Sequence, residues 1–99
     1  MYRLRLFIAG ATPRSRTTVE QLRRVCERYL DRPYELEIVD IVQRPDLAED
    51  DRIMATPTLI RRTPAPLRRV IGDISDTSRL LAGLGVDHTS SAWNAGDEA

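Results

Sequence analysis

Cys26 is the only cysteine and His88 the only histidine in 99 residues. A redox or nucleophilic thiol needs a lowered pKa, which a helix N-terminus or a nearby positive charge supplies. Cys26 sits instead in the series Val19, Leu22, Val25, Cys26, Tyr29, Leu30. That spacing is the apolar stripe of a helix, and there a thiol packs as a small hydrophobe. One cysteine also excludes an internal disulfide framework and an all-cysteine metal cluster. His88 has no second ligand near it and reads as a solvent-exposed side chain. The run Glu49-Asp50-Asp51 lacks the spacing of a calcium loop and reads as a solvated helix face. Gly83-Leu84-Gly85 lies outside any strand–loop–helix setting that would cradle phosphate. The chemistry left is that of arginine. All 15 basic residues are Arg, and Arg61, Arg62, Arg68 and Arg69 flank the turn Pro64-Ala65-Pro66. In a hairpin, one arginine of each pair shares a face. Two readings stay open: a charged edge that blocks strand pairing, or a surface complementary to an acidic partner.

Fifteen basic residues balance 15 acidic ones, for a net charge of zero. That argues against a general nucleic-acid binder, whose affinity comes from phosphate neutralisation. No run approaches the roughly 20 apolar residues that span a bilayer. The start, Met1 to Ile8, is too short and too charged for a signal peptide. A cytoplasmic chain with no membrane partner is expected. Its length makes one domain, which buries roughly 60–70% of the surface its unfolded form exposes. Oligomerisation would add stability.

The elements that must position these residues follow from periodicity and breakers. Leu4 to Ile8 alternates with Arg3 and Arg5 as a strand. Gly10-Ala11-Thr12-Pro13 breaks it, and Ser15 or Thr17 can cap a helix that runs to about Leu30. Tyr34 to Val42 is a second strand, with an apolar end suited to burial on both faces in a parallel β-α-β unit. A short helix spans Leu47 to Ile53, with Asp46 as cap. Thr58 to Arg62 and Leu67 to Ile71 form a hairpin, and Gly72-Asp73 ends it. Ser75 or Asp76 caps a last helix through Leu84. Residues 1–86 make the domain, and 87–99 a mobile polar tail. The order β-α-β-α-β-β-α is an α/β, thioredoxin-like one. That fold sets a cis proline before its third strand, the position of Pro57, and a thiol at the first strand–helix junction. The junction here is Gly10-Ala11-Thr12-Pro13-Arg14-Ser15, without cysteine. An oxidoreductase is therefore not expected.

Three segments in order carry a family resemblance. They are Leu6 to Pro13 (LFIAGATP), Asp46 to Leu59 (DLAEDDRIMATPTL) and Pro64 to Asp76 (PAPLRRVIGDISD). Together they resemble the KaiB family over about residues 4 to 84. The resemblance implies a clock or clock-like protein without catalytic activity, cofactor or metal, which binds the KaiC ATPase ring. KaiA or a histidine kinase would be further partners. It also implies two folds for one chain: a free oligomer, tetramer or dimer, of order β-α-β-β-α-α-β, and a thioredoxin-like monomer that binds KaiC. The family's basic positions imply Arg52 and Arg61 as partner contacts, with Arg68 and Arg69 beside them. The hinge of the fold switch is expected at Pro57, Gly72, Gly83 and Gly85. A KaiB-like adaptor in stress response or two-component signalling, without a timing role, stays open. The family often carries Asp where this chain has Gly85, and Lys where it has Arg52 and Arg61.

Overall fold

A computed structural model describes residues 1–86. The strands are β1 (Tyr2–Ile8), β2 (Tyr34–Asp40), β3 (Thr58–Thr63) and β4 (Arg68–Ile71), and the helices α1 (Pro13–Tyr29), α2 (Pro45–Asp50) and α3 (Thr77–Leu84). The order is the expected β-α-β-α-β-β-α. The expected tail, 87–99, lies outside the described residues.

The sheet runs β2-β1-β3-β4. β1 pairs with β2 in parallel, and the two later pairings are antiparallel. Strand alternation splits the molecule into two cores. Leu4, Leu6, Ile8 and Leu59 face α1 and α3, where Leu22, Val25, Cys26, Leu80, Leu81 and Leu84 close over them. Phe7, Val39 and Ile60 face the other way, under Leu47, Ala48 and Ile53. β2 is an edge strand, yet its apolar end serves both cores: Leu36 and Ile38 the first, Val39 the second.

Local chemistry moves several boundaries from their expected places. α1 is capped by Thr12, whose hydroxyl accepts from the Ser15 N–H at 3.1 Å, and not by Ser15 or Thr17. Pro13 then takes the first helical position, where its missing N–H costs nothing. β2 stops at Asp40, because the Asp40 carboxylate turns back to accept from the N–H groups of Gly10 and Val42, both at 2.9 Å. α2 starts earlier, at Pro45, and Asp46 pairs with Arg44 rather than capping. β4 begins at Arg68 rather than Leu67. At α3 the cap is Asp76, which accepts from the Arg79 N–H. The Thr56–Pro57 bond is cis, as are those before Pro64 and Pro66.

Candidate functional site

The β1–α1 junction is an open groove of about 260 Å3 lined by Thr12, Arg14, Ser15, Thr18, Thr56 and Pro57. Nothing in that lining is a nucleophile with a base beside it. Cys26 lies deep in α1 at 1% exposure, and burial pushes its thiol up to about 12. It is held as a neutral core thiol, as its spacing suggests. Among the described residues no group of three His, Cys, Asp or Glu side chains could hold a metal ion.

The arginines of the hairpin do not form one patch. The register sets Arg61 opposite Arg68 and Ile60 opposite Arg69. Arg61 and Arg68 therefore point toward α3, while Arg62 and Arg69 point toward α2. The expectation of Arg61 as a partner contact meets a structural obstacle, because Arg61 is only 5% exposed. Its Nη1 donates to the Leu84 carbonyl at 2.6 Å and its Nη2 to the Pro66 carbonyl at 2.8 Å. In this fold its guanidinium is spent inside the molecule. Arg68 is exposed beside it.

On the α2 side the hub is Asp51, a residue the sequence reading leaves on a solvated helix face. Glu49 and Asp50 are exposed, but the Asp51 side chain is only 13% exposed. It accepts from Arg5 at 3.1 Å and from Arg62, and its backbone carbonyl accepts from Arg69. Arg5 in turn donates to Glu37 at 2.8 Å. Burial alone would raise the Asp51 pKa. Arg62 and Arg5 outweigh it and hold the carboxyl below the usual range. The legible signal was strand parity: Arg5 lies between Leu4 and Leu6, so it must face α2.

Arg52 follows this hub in a left-handed backbone conformation, φ 54°, rare for a residue with a side chain. It is exposed, and no acidic group of the described residues pairs with it. Sheet polarity brings the C-termini of β1, β2 and β4 and the N-terminus of β3 to one end. Three large apolar side chains are exposed around that end: Met54 at 94%, Val42 at 71% and Ile71 at 60%. Ile71 shares its face with Arg69. This end therefore presents exposed apolar side chains and cations.

The four hinge candidates have distinct places. Gly72 (φ 96°) donates its N–H to the Pro57 carbonyl at 3.0 Å, which ties the end of β4 to the turn before β3. Gly83 is inside α3, where an added Cβ would lie 2.6 Å from Val70 Cγ2. Gly85 ends α3 in the left-handed conformation, φ 77°.

The KaiB domain model matches residues 5–86. The chain belongs to the KaiB family. The circadian clock oscillator protein KaiB of Parasynechococcus marenigrum is 44% identical over 94 residues, which cover 95% of this chain and 90% of that protein. The circadian clock protein KaiB3 of Synechocystis is 43% identical over 84% of this chain and 81% of its own. Among solved structures, the N-terminal domain of Synechococcus elongatus SasA aligns with a TM-score of 0.70 at 24% identity, covering 85% of this chain and 83% of that one. Yeast mitochondrial thioredoxin 3 aligns at 0.65 and 20% identity, over 85% and 76%. At those identities the likeness establishes a thioredoxin-like fold and nothing further. This KaiB-family chain thus resembles clock proteins in sequence and thioredoxins in architecture, without the junction thiol. No helix among the described residues is long and apolar enough to cross a membrane.

Proposed function

We propose that this chain is a cytoplasmic, non-catalytic clock protein that docks on a KaiC-type ATPase ring in the thioredoxin-like state described above. The observation that carries the reading is the α2 end of the sheet, which carries unpaired Arg52 and exposed Met54, with exposed Val42 and Ile71 at its two edges. Cations beside an apolar centre suit an acidic-rimmed partner, fixing orientation and on-rate while the apolar groups supply contact area. Arg69 borders the same face. Arg68 is a weaker contact on the opposite face, and Arg61 acts from inside.

The same proposal includes a second packing of the C-terminal half. Four features support it: a four-residue edge strand, an eight-residue last helix, a glycine in that helix and a left-handed glycine at its end. A glycine in a helix interior costs about 1 kcal/mol relative to alanine, and two packings that differ by only a few kcal/mol interchange on partner binding. Pro57, Gly72, Gly83 and Gly85 would be its hinge. The free state would be a homotetramer or dimer. KaiA or a histidine kinase would be further partners.

Size-exclusion chromatography with and without a cognate KaiC hexamer tests the reading. The expected result is a free oligomer that converts to a KaiC-bound monomer. In a pull-down, Arg52→Glu with Arg69→Glu should weaken capture by about tenfold or more. A permanent monomer indifferent to KaiC would favour the alternative, an adaptor in stress or two-component signalling.

A further inference from the structure

Arg61 is a buried cation with unusual company. Among the described residues no carboxylate lies within ion-pair distance of it, and its Nε has no partner. Its two bonds go to carbonyls of separate elements: Leu84, in the last turn of α3, and Pro66, in the β3–β4 turn. A helix ends with carbonyls that lack partners and carries partial negative charge there, so a guanidinium fits that end well.

Two glycines lie close to this contact. Gly85 needs φ 77°, and a Cβ on it would lie 2.8 Å from Arg68 Nε and 3.2 Å from Arg61 Nη1. Two residues earlier, a Cβ on Gly83 would lie 2.6 Å from Val70 Cγ2 of β4. At the other end, the segment leading into α3 is held by buried Ile74 and by the Gln21 amide donating to the Ser75 carbonyl at 2.8 Å.

We infer that Arg61 is a latch: it fastens the C-terminal end of α3 to the β3–β4 hairpin. The physical balance is two-sided. While the latch is closed, a charge sits out of water with two carbonyls and no counter-ion, a costly arrangement. When α3 lifts, the guanidinium is hydrated and that cost is recovered. Removing the charged group would leave the Leu84 carbonyl at a buried position without its donor. The closed state thus depends on Arg61, and the open state is not penalised by it. The inference deepens the repacking reading above by naming what holds the mobile helix. Its test uses no KaiC, so it stands or falls apart from partner binding.

Residue-resolved amide hydrogen exchange on the full chain reads it. Arg61→Met keeps an apolar stem and removes the donors. Exchange at 80–84 in α3 should quicken by about tenfold or more, with β1 and α1 protection unchanged. Arg61→Lys keeps the charge but reaches one carbonyl at most, so it should give a smaller change in the same amides. Arg68→Met, which removes an exposed neighbour, should leave α3 as it was. Unchanged α3 exchange in Arg61→Met would overturn the latch. So would equal loss of protection in α3, β1 and α1, which marks a general core residue. If Arg61→Met does not fold, the lysine variant decides by the same criterion.

Discussion

At the scale of single residues, two groups show how burial decides chemistry. Cys26 is raised to about 12 by desolvation first, with Glu27 adding to the rise and Arg23 opposing it. Its thiolate is therefore scarce at neutral pH. The native protein should react with a thiol-specific disulfide reagent orders of magnitude more slowly than the denatured chain, as absorbance kinetics at pH 8 will show. Fast native labelling would place the thiol elsewhere. Asp51 is the opposite case. Its folded pKa lies below the unfolded value of about 3.9. A depressed carboxyl contributes stability above its unfolded pKa and loses it as pH falls through the folded pKa. Asp51→Asn should therefore lower stability at pH 7 and flatten the loss of stability below about pH 4. Urea titrations of both proteins between pH 2 and 7 measure this. The sequence showed Cys26 correctly, because helical spacing alone predicts its burial. It missed Asp51, because a three-residue acidic run has no signal for which member turns under the sheet. Only the cross-strand positions of Arg5 and Arg62 settle that.

At the scale of elements, the first half of the chain was legible in its order and types, with boundaries a few residues off. Leu4 and Leu6 alternating with Arg3 and Arg5 in β1, and a 17-residue amphipathic α1, mark the side that meets the larger core. The cap was misplaced because several hydroxyls compete over Thr12 to Thr18, and Pro13 decides among them by fixing the first helical position. Thr12→Ala should cost about 1 kcal/mol of stability, read as an earlier urea midpoint with an unchanged slope. The second half offers weaker local preference. α3 has eight residues and includes Gly83. Helix propensity alone would favour Gly83→Ala, yet a Cβ there meets Val70 Cγ2 at 2.6 Å. Overpacking costs typically 1–3 kcal/mol, so it wins. Gly83→Ala should lower the stability of this fold by about 1 kcal/mol or more, and Gly83→Ala with Val70→Ala should recover part of that. A stabilised single variant would show that α3 shifts freely on β4.

At the scale of the whole molecule, the sheet separates two environments. The α1 and α3 side holds the larger core and the Arg61 contact. The α2 side holds a small core, a charged network around Asp51, and the exposed end with Arg52 and Met54. Thioredoxin-like architecture was visible in the element order, and the missing junction thiol in the sequence itself. That one arginine of each pair shares a face was legible from the hairpin itself, but which of them meet across it was not, because hairpin register depends on the turn and on β1 pairing together. Arg61 lies inside the α3 side and Arg52 at the exposed α2 end, so each is open to mutation without the other.

In the proposed function, the thioredoxin-like state is the one that engages a KaiC-type ring. Backbone carbon chemical shifts of isotope-labelled chain, recorded free and bound to the ring, test it most directly. In the bound form, 77–84 should show helical shifts and 68–71 extended ones. Extended shifts across 77–84 in the bound form would contradict the account.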